Sequence, residues 1–193
     1  MAADTAFTPA TRLLALYRSR QLSPVEVIEH TLRRLETYET AINAFVLYDP
    51  ETALAMARAS EARWQKGEPQ GLLDGVPVAL KDTLLTRGWP RLLGSRTIDP
   101  NQAWDEDAPV PGRLRANGAV FFGKTTTPEF GWKGVTDSPL SGAPATRGTW
   151  SEPPAAAAGA APPQCWPASA LSRSAPTPAA RSASRPPSAA SSG

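Results

Sequence analysis

Leu73-Asp74-Gly75-Val76-Pro77-Val78-Ala79-Leu80-Lys81-Asp82 is the stretch on which the reading of this chain turns. Val76 to Leu80 is a short apolar run of strand type, and two charged side chains close it. A loop follows through Arg87-Gly88-Trp89-Pro90 to Pro100. Asp107 to Asn117 suits a helix with Gly118 as its stop, and Ala119-Val120-Phe121-Phe122-Gly123-Lys124 reads as a second strand. A strand, an excursion carrying a helix and another strand make a βαβ-type unit, which needs helices over its sheet.

Upstream the chain is helical. Thr8-Pro9 precedes Leu13, Leu14, Leu16 and Tyr17. Ser23-Pro24-Val25-Glu26 supplies Ser at the N-cap, Pro at the first helical position and Glu three residues on, a capping box. Val25, Ile28, Leu32 and Leu35 then share one helical face. Asp49-Pro50 opens an Ala-rich third helix that runs toward Trp64 and stops at Gly67. Between the second and third helices, Ala44 to Tyr48 is a short extended run. The expected class is therefore α/β: N-terminal helices, then the first strands of a mixed sheet covered by helices. Gly131 to Gly142 reads as an ordered loop.

Composition breaks near Gly142. Residues 1–142 have ordinary globular variety. From Ala143 to Gly193 the chain is mostly Ala, Pro and Ser, with five charged residues and no Val, Ile, Phe, Tyr or Met. Such a stretch cannot bury enough apolar surface to offset its ordering entropy, so 143–193 is expected to be a disordered tail. A net charge of +2, without a compact Lys/Arg stripe, argues against a nucleic-acid partner. The one cysteine, Cys165, excludes an internal disulfide framework and lies in the tail. No secretory signal and no bilayer-length apolar run are visible, so a cytoplasmic protein without a membrane partner is expected. No residue pattern calls for a metal or a cofactor.

Lys81 is the residue with most chemical promise. It stands at the C-terminal end of an apolar strand, where open α/β sheets place their ligands. A partly desolvated lysine favours its neutral form and can act as a base. The competing reading is a surface lysine that ends a strand and pairs with Asp82. His30 is expected to be a solvated helical histidine. Asp105, Glu106 and Asp107 suit capping and dipole compensation of the following helix better than metal binding. Gly123-Lys124-Thr125 lacks the spacing of a phosphate loop, which sets nucleotide binding aside.

The 73–82 stretch resembles the motif around the catalytic lysine of the amidase-signature family. Gly123-Lys124-Thr125-Thr126-Thr127-Pro128-Glu129-Phe130-Gly131 is similar to a second motif of that family, which usually has Asn where this chain has Thr126. Ser23-Pro24 and its spacing to Lys81 also match, so the resemblance covers roughly residues 10 to 142. It implies an enzyme acting on the C–N bond of a small-molecule carboxylic amide through a Ser–Ser–Lys triad. One serine is the nucleophile. A second, in a cis peptide, passes protons between it and the lysine, and backbone amides hold the oxyanion. The resemblance makes Lys81 the general base.

The family's serines sit in Gly-Gly-Ser-Ser-Gly-Gly and Gly-Gly-Ser segments beyond the second motif. Neither segment occurs here, and Ser151, Ser169 and Ser191-Ser192 have other neighbours. The genetic code offers a reason. Read one base out of register, Glu152 to Gly159 permits Thr-Pro-Gly-Gly-Ser-Ser-Gly-Gly, and Ala175 to Pro186 permits Thr-Asp-Ala-Gly-Gly-Ser-Ile-Arg-Ile-Pro. The expectation is an incomplete amidase-signature fold over 1–142 and an out-of-frame tail over 143–193. The strands around Val76 and Val120 should then have exposed edges, folding should be weak, and the polypeptide should be inactive. Two alternatives stand beside this. One is the amidase-type subunit of a tRNA-dependent amidotransferase, although Gly131-Trp132-Lys133-Gly134 is closer to a stand-alone amidase. The other is a non-catalytic helical interaction module with a Pro-rich tail.

Overall fold

The computed structural model describes residues 5–144. The tail 143–193, apart from its first two residues, lies outside the described residues, together with Cys165, Ser151, Ser169, Ser191 and Ser192.

Helix α1 spans Ala10–Arg18 and α2 spans Pro24–Ile42. The capping box at the start of α2 forms in full: the Glu26 amide donates to Ser23 Oγ at 3.1 Å, and the Ser23 amide donates to Glu26 Oε2 at 2.8 Å. Strand β1 is Phe45–Tyr48. Helix α3 spans Pro50–Lys66, capped by Asp49, which accepts from the Thr52 amide, and ended by Gly67 in the left-handed region that favours glycine. Strand β2 is Pro77–Lys81, helix α4 Pro109–Ala116 and strand β3 Val120–Thr125.

The three strands lie in the order β1-β3-β2. β2 and β3 run parallel, with α4 on the crossover between them, and β1 pairs antiparallel with β3. The sheet is thus mixed, and its strand content excludes a purely helical module. β3 is buried along nearly its whole length because both its neighbours and both its faces are covered. Val120 and Phe122 pack with Ile28, Leu32, Leu35, Ala53 and Ala57 of α2 and α3. Phe121 packs on the other face with Val78, Leu80 and Trp89. A third cluster, Leu13, Tyr17, Val27 and Trp64, joins α1 to α2 and α3.

Three expectations need correction. The strand around Val120 has no exposed edge, since β3 is central; β1 and β2 are the outer strands among the described residues. Helix α4 begins at Pro109, not Asp107, and its N-cap is Ala108 with no side-chain cap. Asp107 is engaged elsewhere: it accepts from the Arg87 amide at 2.8 Å and pairs with Arg115. The inward face of α2 is also wider than Val25-Ile28-Leu32-Leu35. Val27 and Thr31 are buried as well, because α1 covers a second side of the helix.

Candidate active site

The candidate site lies at the C-terminal ends of the parallel strands β2 and β3, and the chain leading into β2 is clamped first. Asp74, fully buried, takes Nε and Nη2 of Arg63 at 2.9 and 2.6 Å and the Gln70 amide at 2.7 Å. Trp64 Nε1 donates to the Asp74 carbonyl and Tyr17 Oη to the Gly75 carbonyl. Burial pulls the Asp74 carboxyl up, but the Arg63 bonds and the Gln70 amide outweigh it and hold the group below its ordinary value. Burial of Tyr17 pushes its hydroxyl far up, so it stays a donor.

β2 delivers Lys81 at its last position, opposite Thr125 of β3. Lys81 is half-buried. Among the described residues its ammonium has no ion-pair or hydrogen-bond partner, and burial lowers its pKa from the usual lysine value. The pairing with Asp82 on which the competing reading rested does not form. Asp82 turns instead to Lys124, with Nζ to Oδ1 at 3.1 Å, and both side chains are excluded from solvent. The Asp82 carboxylate also accepts from the amides of Leu92 and Gly94, at 3.2 and 3.3 Å. Lys124 Nζ donates to the Pro90 carbonyl at 2.7 Å. Burial pulls the Lys124 ammonium down, Asp82 holds it up, and the nearby Arg91 adds a smaller downward push.

The 90–95 loop so anchored meets the segment that follows β3. The Phe130 amide donates to the Leu93 carbonyl, and Ser95 Oγ donates to Glu129 Oε1 at 2.7 Å. Gly94 has φ +65°, and a Cβ there would lie 2.5 Å from the Thr127 carbonyl oxygen, so no larger residue fits. Thr126, at the position where the second motif usually has Asn, donates from both its amide and its hydroxyl to the Ala44 carbonyl. Phe130 has φ +51°, and beyond it Trp132 is 76% exposed.

The other sequence candidates fall away from this site or change character. His30 is not simply solvated: its Nδ1 lies 2.9 Å from Thr5 Oγ1. No group of three or more His, Cys, Asp or Glu side chains converges among the described residues. A cavity of about 290 Å³ lies between α1, α2 and α3, lined by Tyr17, Arg20, Glu26, Glu61 and Trp64 among others, with no residue from the strand ends. No helix among the described residues is long and apolar enough to cross a membrane. Sequence reasoning missed Asp82 and Lys124 as a buried ion pair. The available signal was a lysine embedded in an apolar strand, which must find a buried carboxylate.

A sequence model of the Amidase family matches residues 26–153. The chain is 40% identical over 137 residues to a mitochondrial glutamyl-tRNA(Gln) amidotransferase subunit of Anopheles gambiae, covering 70% of this chain and 27% of that protein. It is 41% identical over 128 residues to a putative amidase, AmiD, of Mycobacterium tuberculosis, covering 66% and 27%. Among solved structures, a bacterial aryl acylamidase of the amidase-signature family superposes with a TM-score of 0.69 at 30% identity, over 74% of this chain and 30% of that one. The chain thus spans little more than a quarter of the length of the curated relatives it matches. With most of its described residues inside that match, it belongs to the amidase family, whose amidase-signature motifs it carries around Lys81 and Lys124.

Proposed function

We propose that Lys81 is the general base of a Ser–Ser–Lys triad that hydrolyses the C–N bond of a carboxylic amide. The observation that carries this reading is a half-buried lysine at the C-terminal end of a parallel strand, without a partner among the described residues and with its pKa lowered by burial. Loss of the proton is what fits an amine to accept one. In the proposed cycle the neutral Lys81 takes a proton, through the bridging serine, from the nucleophilic serine as that oxygen attacks the amide carbon. The same relay returns the proton to the leaving amine. Water then cleaves the acyl-enzyme, with the relay acting as base again. Amides near the nucleophile hold the oxyanion. The residues involved are Lys81 and two serines of the family's Gly-Gly-Ser-Ser-Gly-Gly and Gly-Gly-Ser segments.

We further propose that residues 1–142 are the N-terminal part of the amidase domain and that 143–193 are read in a shifted frame. The out-of-register reading of 152–160 and 175–186 supports this, since the genetic code permits both serine segments in order, the last glycine of the first drawing on the Ala160 codon. Sequencing the locus tests it directly: codons that forbid those serines in the alternate frame end the idea. The functional test restores that frame and assays release of amine from simple aryl and aliphatic amides. Activity should appear in the restored protein, vanish with Lys81→Met, and be absent from the 193-residue polypeptide. Robust hydrolysis by Lys81→Met would refute the assignment.

The similarity to a glutamyl-tRNA(Gln) amidotransferase favours a second reading, in which the same triad releases ammonia from an amide for transfer. Ammonia release from glutamine in preference to simple amides would select it.

A further inference from the structure

We propose that Lys124 is a positioning residue for Lys81: by drawing the Asp82 carboxylate to itself, it keeps that carboxylate from pairing with Lys81. The inference rests on the reading of Lys81 as a base. Lys81 and Asp82 are consecutive at the exit of β2, and a carboxylate within about 4–6 Å of an ammonium holds it charged. The sheet register opposes this. Lys124 lies opposite Leu80, one step from the Lys81–Thr125 pair, so its ammonium arrives beside Asp82 from the adjacent strand. The Asp82 amide donates to the Thr125 carbonyl at 3.1 Å, which fixes the residue's backbone. The Leu92 and Gly94 amides then occupy the carboxylate from the loop. Every acceptor oxygen of Asp82 is engaged by a partner other than Lys81.

The nearby carboxylates Glu129 and Asp49 are engaged too. Glu129 is held by Ser95, and Asp49 by the Thr52 amide and Trp89 Nε1. Arg91, on the loop, is a cation that pushes the Lys124 ammonium down. Burial is accordingly the cause of the lowered Lys81 value. A fully buried ion pair is a poor device for stability alone, because desolvating both charges offsets most of their attraction. Its place next to a lysine without a partner among the described residues gives it a use.

The test follows Lys81 itself. The chain has four lysines, Lys66, Lys81, Lys124 and Lys133, so its ¹³Cε-lysine spectrum can be assigned with Lys81→Arg. The Lys81 titration is compared in the 193-residue chain, Lys124→Met, and Lys124→Met with Asp82→Asn, with the amide fingerprint reporting the fold. Lys124→Met frees the carboxylate and should move the Lys81 midpoint to higher pH, about tenfold or more in its dissociation constant. The double variant removes both charges and should titrate as the unmodified chain does. An unmoved Lys81 in folded Lys124→Met overturns the proposal. Should the single variant not fold, the double variant decides: a Lys81 midpoint below that of the unmodified chain means Asp82 was acting on Lys81 all along, which also overturns it. An ordinary lysine midpoint in the unmodified chain would instead sink the base assignment and leave the Lys124 comparison standing.

Discussion

The two ends of β2 each carry a buried aspartate, and they are built to opposite purposes. At the entry, Asp74 meets Arg63 through two charge-assisted bonds, and the guanidinium keeps 29% of its side-chain surface in water. At the exit, Asp82 meets a lysine with no solvent at all, and the lysine beside it has no partner among the described residues. The entry pairs a forked cation with a carboxylate while leaving the cation hydrated, which is an efficient clamp. The exit buries two charges and withholds a third from pairing. A fold seeking stability alone would not need that arrangement, and the C-terminal edge of a parallel sheet is where chemistry is done.

The contrast can be broken from either end, and the largest effect is expected at the exit. Lys124→Ala leaves the Asp82 carboxylate buried without its cation, which should cost about 3–5 kcal/mol in urea denaturation. Asp74→Ala should cost less, about 1–3 kcal/mol, because Arg63 can complete its hydration once released. If the two losses are equal, the distinction between clamp and buried pair fails.

Acid sharpens the entry side. Asp74 and Asp107 are both held below their ordinary values, Asp74 by Arg63 and the Gln70 amide against burial, Asp107 by Arg115 first. Their stabilisation is complete above the unfolded carboxylate value of about 3.9 and is lost as pH falls through the lower folded values. Denaturation midpoints should therefore hold from about pH 7 to about pH 5 and decline below about pH 4, and Asp74→Asn should weaken that decline.

Lys81→Met should have the smallest effect on folding, within about 0.5 kcal/mol, because no partner is lost. The sign with pH is informative. The folded Lys81 value lies below the unfolded one, so the unfolded chain binds more protons in between, and stability rises with pH up to about 10.4. Lys81→Met should flatten that rise in a series of denaturation curves. A loss of several kcal/mol would mean that Lys81 has a structural role after all.

Much of the scaffold was legible along the chain because its signals are local. Ser23-Pro24-Val25-Glu26 names its own capping box, Asp49-Pro50 and Gly67 bracket α3, and Val76 to Leu80 and Ala119 to Lys124 announce strands by composition. The misjudged features were those settled by partners far away in sequence. Asp107 looked like a cap because it precedes a helix, yet the Arg87 amide, twenty residues upstream, and Arg115 claim it. His30 looked solvated because its helical neighbours are charged, yet Thr5 comes back over it.

By itself, then, the sequence determined the helices, the strands and the strand-end placement of Lys81, since capping, periodicity and glycine stops act over a few residues. It also carried the amidase-signature motifs. Only the tertiary structure decided which strand is central and which ammonium Asp82 joins. Those outcomes depend on register between strands some forty residues apart, where a lysine on β3 reaches the carboxylate that follows β2 before that carboxylate's own neighbour can.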